Sequence, residues 1–199
     1  MNQLQIVAWL CAALTHWTPM PRGKLADAVV EERLVVARAL VDVAYDPAEP
    51  PLAEFRGPDA RARTALLLGS IAAHESGLLP RLAEGRCLPG ECDHGKSFGL
   101  MQVMLGAHGI ALIPGGGYRH CTDDTTGCLT AAELAGNVPA QIRAALHLLR
   151  SDGLRSYTGE AGAEDAPSAR RRQVAAELWS MRHPVPAKDA EVVVLVPVE

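Results

Sequence analysis

A helical period dominates the order of hydrophobic and polar positions along the chain. Apolar residues recur at three- and four-residue spacing near 3–16, 25–44, 59–76, 130–150 and 168–182, and each span predicts a helix. Between the third and fourth spans, residues 77–129 lose the period and fill with Gly, Pro, Asp and Cys. That stretch predicts long loops with one short helix. "AYDPAEPPLAEF" at 44–55 is a Pro-rich connection, and "AEVVVLVPVE" at 190–199 is the one convincing β-type run, which Pro197 would hold at a sheet edge. The pattern describes a mainly α fold with a loop-built face. Helices within 1–58 would pack on a domain at 59–183, and 184–199 would form a tail with a short C-terminal strand.

The third span, "GPDARARTALLLGSIAAHESG", has Asp59 placed as an N-cap and Gly77 just past its end. Leu67, Leu68, Ile71 and Ala72 form an apolar stripe. Glu75 lies four residues beyond Ile71 and eight beyond Leu67, so it continues that stripe, whereas His74 projects at another angle. Apolar neighbours penalise the charged form of a carboxylate, and the negative potential of a helix C-terminus does the same. Both favour a proton held near neutral pH, as a general acid acting on a sugar oxygen requires. The competing reading pairs Glu75 with Arg81 or Arg86 as an ordinary ion pair. Downstream, "KSFGLMQV" at 96–103 adds Gln102, whose amide both donates and accepts and so suits the hydroxyl and acetamido groups of a saccharide.

These residues resemble the soluble lytic transglycosylases and the related goose-type lysozymes. That family carries a helix ending in Glu-Ser, a Gly-Leu-Met-Gln turn, an Asn-bearing helix and a late Tyr motif. Glu75-Ser76, with Pro80 beyond, is similar to the first motif, and Gly99-Leu100-Met101-Gln102, with Gly106 beyond, to the second. "AGNVPAQIRAALHLL", in which Asn137 opens a helix with Ile142, Ala145, Leu146 and Leu149 facing inward, resembles the third, and "SYTGEAG", with Tyr157 and Gly159, the fourth. The likeness spans about residues 60–182. Three departures stand out: an insert holding "CLPGEC", Lys96-Ser97 in place of a Gly-Ala pair, and Thr158 in place of an Asn.

The resemblance implies a lysozyme-like helical domain whose long loops form a sugar-binding cleft. It also implies cleavage of the β-1,4 bond between N-acetylmuramic acid and N-acetylglucosamine in peptidoglycan, with Glu75 as general acid and then base. The base step would activate either the muramoyl 6-hydroxyl, giving a 1,6-anhydro product, or a water. The substrate acetamide can assist, unlike the usual two-carboxylate scheme, although Glu84, Glu91, Asp93, Asp123 and Asp124 lie in loops where a second carboxylate could stand. Ser76, Ser97, Gly99, Met101, Gln102, Asn137 and Tyr157 are the substrate-binding candidates by the same resemblance. For Met101 core packing is the stronger reading, and Tyr157 is equally open to a packing role. No cofactor is expected, and the partners implied are peptidoglycan glycan strands. The alternative is a wall-binding or assembly module that keeps the fold without turnover.

Composition narrows the setting. With 199 residues, 48% of them hydrophobic, the chain can bury a substantial core. A net charge of −4 and 4% aromatic residues give nucleic acid neither an electrostatic footprint nor a stacking platform. "ARRRQ" at 169–173 reads as a solvated helix face, and no run is long and apolar enough for a membrane span. Cys87 and Cys92 bracket a Pro-Gly turn and Cys121 and Cys128 bracket "TDDTTG", while Cys11 reads as a buried hydrophobe. The four loop cysteines are open to three disulfide pairings, of which Cys87–Cys92 with Cys121–Cys128 is the simplest. They are open also to a structural zinc with His94 or His120 in the ligand set, or to free thiols.

The start of the chain reads as an amphipathic helix on Val7, Leu10, Cys11 and Leu14, without the charged n-region of an export signal. A wall substrate with no clear signal peptide points to a periplasmic or cell-wall site of action reached by phage virion or secretion-apparatus proteins. A mature chain cleaved after about Thr18 would point instead to ordinary secretion.

Overall fold

The computed structural model describes residues 2–18, 26–123, 127–154, 173, 175 and 176; the side chains of Ala26 and His94 are outside the description. It is mainly helical. Helices α1 (Gln3–Trp17), α2 (Ala26–Tyr45), α3 (Ala60–Ser76) and α7 (Val138–Asp152) are the long elements. The short helices are α4 (Pro80–Ala83), α5 (Cys92–Gly95) and α6 (Ala131–Leu134). Among the described residues there are also two small antiparallel hairpins: β1 (Ser97–Phe98) with β2 (Val103–Met104), and β3 (Ile110–Leu112) with β4 (Tyr118–His120).

Local signals explain most ends. Asn2 and Gln5 close a capping box on α1, and Thr130 and Glu133 close another on α6. Asp59 precedes α3, but its side chain makes no capping hydrogen bond, contrary to expectation. Gly77 ends α3 in the left-handed conformation. The single helix expected over 130–150 is two, because Gly136 turns at φ +71°, Asn137 caps a new start and Pro139 sits in that helix's first turn.

The core joins the N-terminal helices to the rest. Leu10 and Leu14 of α1, Leu40 of α2, Leu67, Leu68 and Ile71 of α3, and Ile142 and Leu146 of α7 form one buried cluster with Leu100, Met101 and Ile110. Helix α3 runs through its middle, buried on several faces rather than along one stripe. Gly69 makes this possible. A Cβ there would stand 3.2 Å from Leu10 Cδ1 and 3.4 Å from Leu40 Cδ1, so α1 and α2 approach so closely that an alanine would make the Leu10 side chain give by a few tenths of an ångström.

The region expected as loops with one short helix holds two short helices and four short strands, each strand too brief to show a period. The disulfides Cys87–Cys92 and Cys121–Cys128 fasten it. All four thiols are consumed in those bonds, so the zinc reading of these cysteines falls. Cys11 is buried, which pushes its thiol pKa up. The helix expected over 168–182 is represented by residues 173, 175 and 176, and Ala175 is buried in the core. The tail strand at 190–199 lies outside the described residues. No helix among the described residues is long and apolar enough to cross a membrane.

Candidate functional site

Glu75 stands in the last turn of α3. The Leu67–Ile71 line that leads to it is fully buried, Glu75 itself is half-buried, and His74 beside it is exposed. The carboxylate therefore leaves the core where the helix meets the surface. Its neighbour Ser76 is buried. The Ser76 hydroxyl donates to Ala72 O at 2.8 Å and accepts the Leu78 amide at 3.1 Å, so it clasps the helix end instead of serving as the expected sugar contact.

The turn beyond α3 is not bare. Arg33 of α2, 1% exposed, donates to Leu78 O at 2.6 Å and to Gly77 O at 3.5 Å. A guanidinium against these carbonyls offsets the negative potential expected at the helix end. The arginines proposed as its ion-pair partners are engaged elsewhere. Arg81 makes a two-pronged pair with Glu91, and Arg86 pairs with Glu84. The Arg81 hydrogen bonds, with a further one from the Leu88 amide, hold the Glu91 carboxyl at about 2. Of the other loop carboxylates, Asp93 accepts the Ser97 hydroxyl at 2.6 Å and Asp123 is exposed, while Asp124 lies outside the described residues.

The second motif forms the loop of the first hairpin. Gln102 N donates to Gly99 O at 3.2 Å, closing a four-residue turn, and Gln102 Nε2 donates to the same carbonyl at 2.7 Å. Gln102 is half-buried and sits in the left-handed region at φ +45°. Met101 has no accessible surface, in keeping with its core-packing reading, and Ser97 of β1 is buried, so neither is available to line a cleft. Gly99 is buried at φ +75°. Asn137 caps α7 by accepting the Ala140 amide at 3.2 Å, a structural task where a sugar contact was expected. Tyr157 lies outside the described residues.

The chain matches no family model, no curated protein and no solved structure.

Two buried polar features escaped the sequence reading. Gln141, one turn into α7, bonds to three backbone segments. Farther along α7, Arg143, His147 and Arg150 converge on Glu49 of the Pro-rich connection. Arg143 Nε reaches Glu49 Oε1 at 3.1 Å, His147 Nε2 lies 3.1 Å from the same oxygen, and Arg150 Nη1 donates to Oε2 at 2.5 Å. Burial works to raise the Glu49 pKa, but the hydrogen bonds from Arg150 and His147, with their charges, hold it below the usual range. The basic residues at i, i+4 and i+7 on one helix face, with "DPAEPP" available to meet them, were the signal for this cluster. Beside it opens a cavity of about 650 Å³ walled by Pro50, Pro51, Ile113, Gly116, Arg150 and Leu154 among others. Neither Glu75 nor Gln102 lines it.

Proposed function

We propose that the protein is a peptidoglycan-cleaving glycosidase of lysozyme-like fold. The observation that carries the reading is Glu75: a half-buried carboxylate in the last turn of a helix, on the line of Leu67 and Ile71, which are fully buried. A carboxylate partly withdrawn from water at the edge of an apolar core suits a group that must hold a proton and give it up. The order of the Glu-Ser, Gly-Leu-Met-Gln and Asn-helix motifs supports the same reading.

Glu75 donates its proton to the oxygen bridging N-acetylmuramic acid and N-acetylglucosamine as the glycosidic bond breaks through an oxocarbenium-like state. The carboxylate then takes a proton from the muramoyl 6-hydroxyl, which closes the 1,6-anhydro ring, or from a water, which gives a reducing end. Gln102 lines the sugar cleft. The two disulfides support action in an oxidising compartment, in keeping with a periplasmic or cell-wall site reached by a phage virion or a secretion apparatus.

Digestion of purified peptidoglycan with mass spectrometry of the products tests the proposal. Anhydro-muropeptides would mark a lytic transglycosylase, and new reducing ends a lysozyme. Binding to the wall with no released fragment would replace the glycosidase by a non-catalytic wall-binding module.

A further inference from the structure

Gln141 has no accessible surface. A buried primary amide is costly unless its donors and acceptor are satisfied, and here backbone from three separate segments satisfies them. Oε1 accepts the Leu100 amide at 2.8 Å, while Nε2 donates to Ala83 O and to Leu134 O, each at 2.7 Å. One side chain thus joins the ends of α4 and α6 to the Gly99–Gln102 turn. Helix α4 is the first element after Glu75, so the acid's outgoing segment and the glutamine turn share a single anchor.

The turn depends on an outside partner. Both nitrogens of Gln102 are directed to Gly99 O, while the buried Leu100 amide donates to Gln141 of α7. A left-handed glutamine persists only where its surroundings over-determine it. Gly99 shows how closely the two parts fit, because a Cβ on it would stand 2.5 Å from both Cδ and Oε1 of Gln141.

We propose that Gln141 is the positioning residue of this site, setting the Gly99–Gln102 turn in register with the segment that leaves Glu75. It acts through Leu100 and touches no substrate. The substrate in this inference rests on the peptidoglycan reading; the anchoring rests on the hydrogen bonds alone.

The test compares the full wild-type chain with Gln141→Met, Gln141→Glu and Leu146→Ala. The last opens the core face of the same helix while leaving the three Gln141 hydrogen bonds in place. Amide hydrogen exchange at residues 100–102 is measured together with kcat and KM on solubilised glycan strands, at a temperature where melting curves show every variant folded. Gln141→Met is expected to speed exchange at Leu100 by about tenfold beyond the change in Leu146→Ala, and to lower kcat/KM by about tenfold. Leu146→Ala keeps wild-type kinetics. Gln141→Glu, which retains an acceptor for the Leu100 amide, falls between. Unchanged protection at Leu100 in Gln141→Met, or equal kinetic losses in Gln141→Met and Leu146→Ala, would overturn the proposal. If wild type leaves the strands intact, the peptidoglycan reading fails, and exchange at Leu100 alone decides the anchoring.

Discussion

Helix α7 meets the loops of this protein at both ends, and it does so with different chemistry at each. Toward its start, the neutral amide of Gln141 satisfies three backbone groups around the proposed sugar site. Toward its end, Arg143, His147 and Arg150 surround the Glu49 carboxylate, and Arg150 also donates to Pro50 O. Both tie a loop to the core through one buried side chain. An amide network holds the same strength across pH, whereas an ionic one depends on every partner keeping its charge. The contrast predicts that the glutamine end keeps its geometry in acid and the glutamate end does not.

The largest expected effect comes from Glu49→Ala. It leaves Arg143, His147 and Arg150 around an empty position, the last two over nine-tenths buried. Breaking a buried ionic group in this way costs about 3 kcal/mol, a fall in melting temperature of about 6–12 °C for a chain of this size. A change under about 1 kcal/mol would mean the cluster is solvated and the contrast between the two ends is false. Gln141→Met comes next. It orphans the Leu100 amide, which costs about 1–3 kcal/mol, and chemical denaturation should give the same loss at pH 4 and pH 7.

The third prediction concerns pH directly. Glu49 is held below the ordinary glutamate value of 4.5 in the folded protein. Its stabilisation is therefore fully present above about pH 4.5 and is lost as pH falls from there toward the folded value. Glu91 follows the same sign, its share fading between 4.5 and about 2. The urea midpoint should thus drop on acidification in wild type and in Gln141→Met, and drop less steeply in Glu49→Gln. Parallel slopes in all three would remove Glu49 as the source. The smallest effect belongs to Arg143→Met. Arg143 is more than a third exposed, so its pairs with Asp46 and Glu49 contribute at most about 1 kcal/mol and weaken in added salt.

The long helices were legible because each carries an extended apolar period, and Glu75 was legible as a carboxylate on such a period. Four strands of two or three residues were not, since alternation needs more length than they have. Ser76 and Ser97 were given sugar-facing roles because letters do not reveal burial, and Met101 carried a sugar-facing reading beside the stronger one of core packing. In the fold they clasp a helix end, brace a hairpin and fill the core. Gln141 was missed for the opposite reason: a lone glutamine on a helix reads as surface, and only the folded chain shows the three backbone groups waiting for it.

The central claim is that Glu75 is the proton donor. Its most direct test is fragment release from peptidoglycan by wild type and by Glu75→Gln, with melting curves confirming that both are folded. The account predicts release by wild type and a fall of at least about a hundredfold in the variant. Release by Glu75→Gln at the wild-type rate would contradict it.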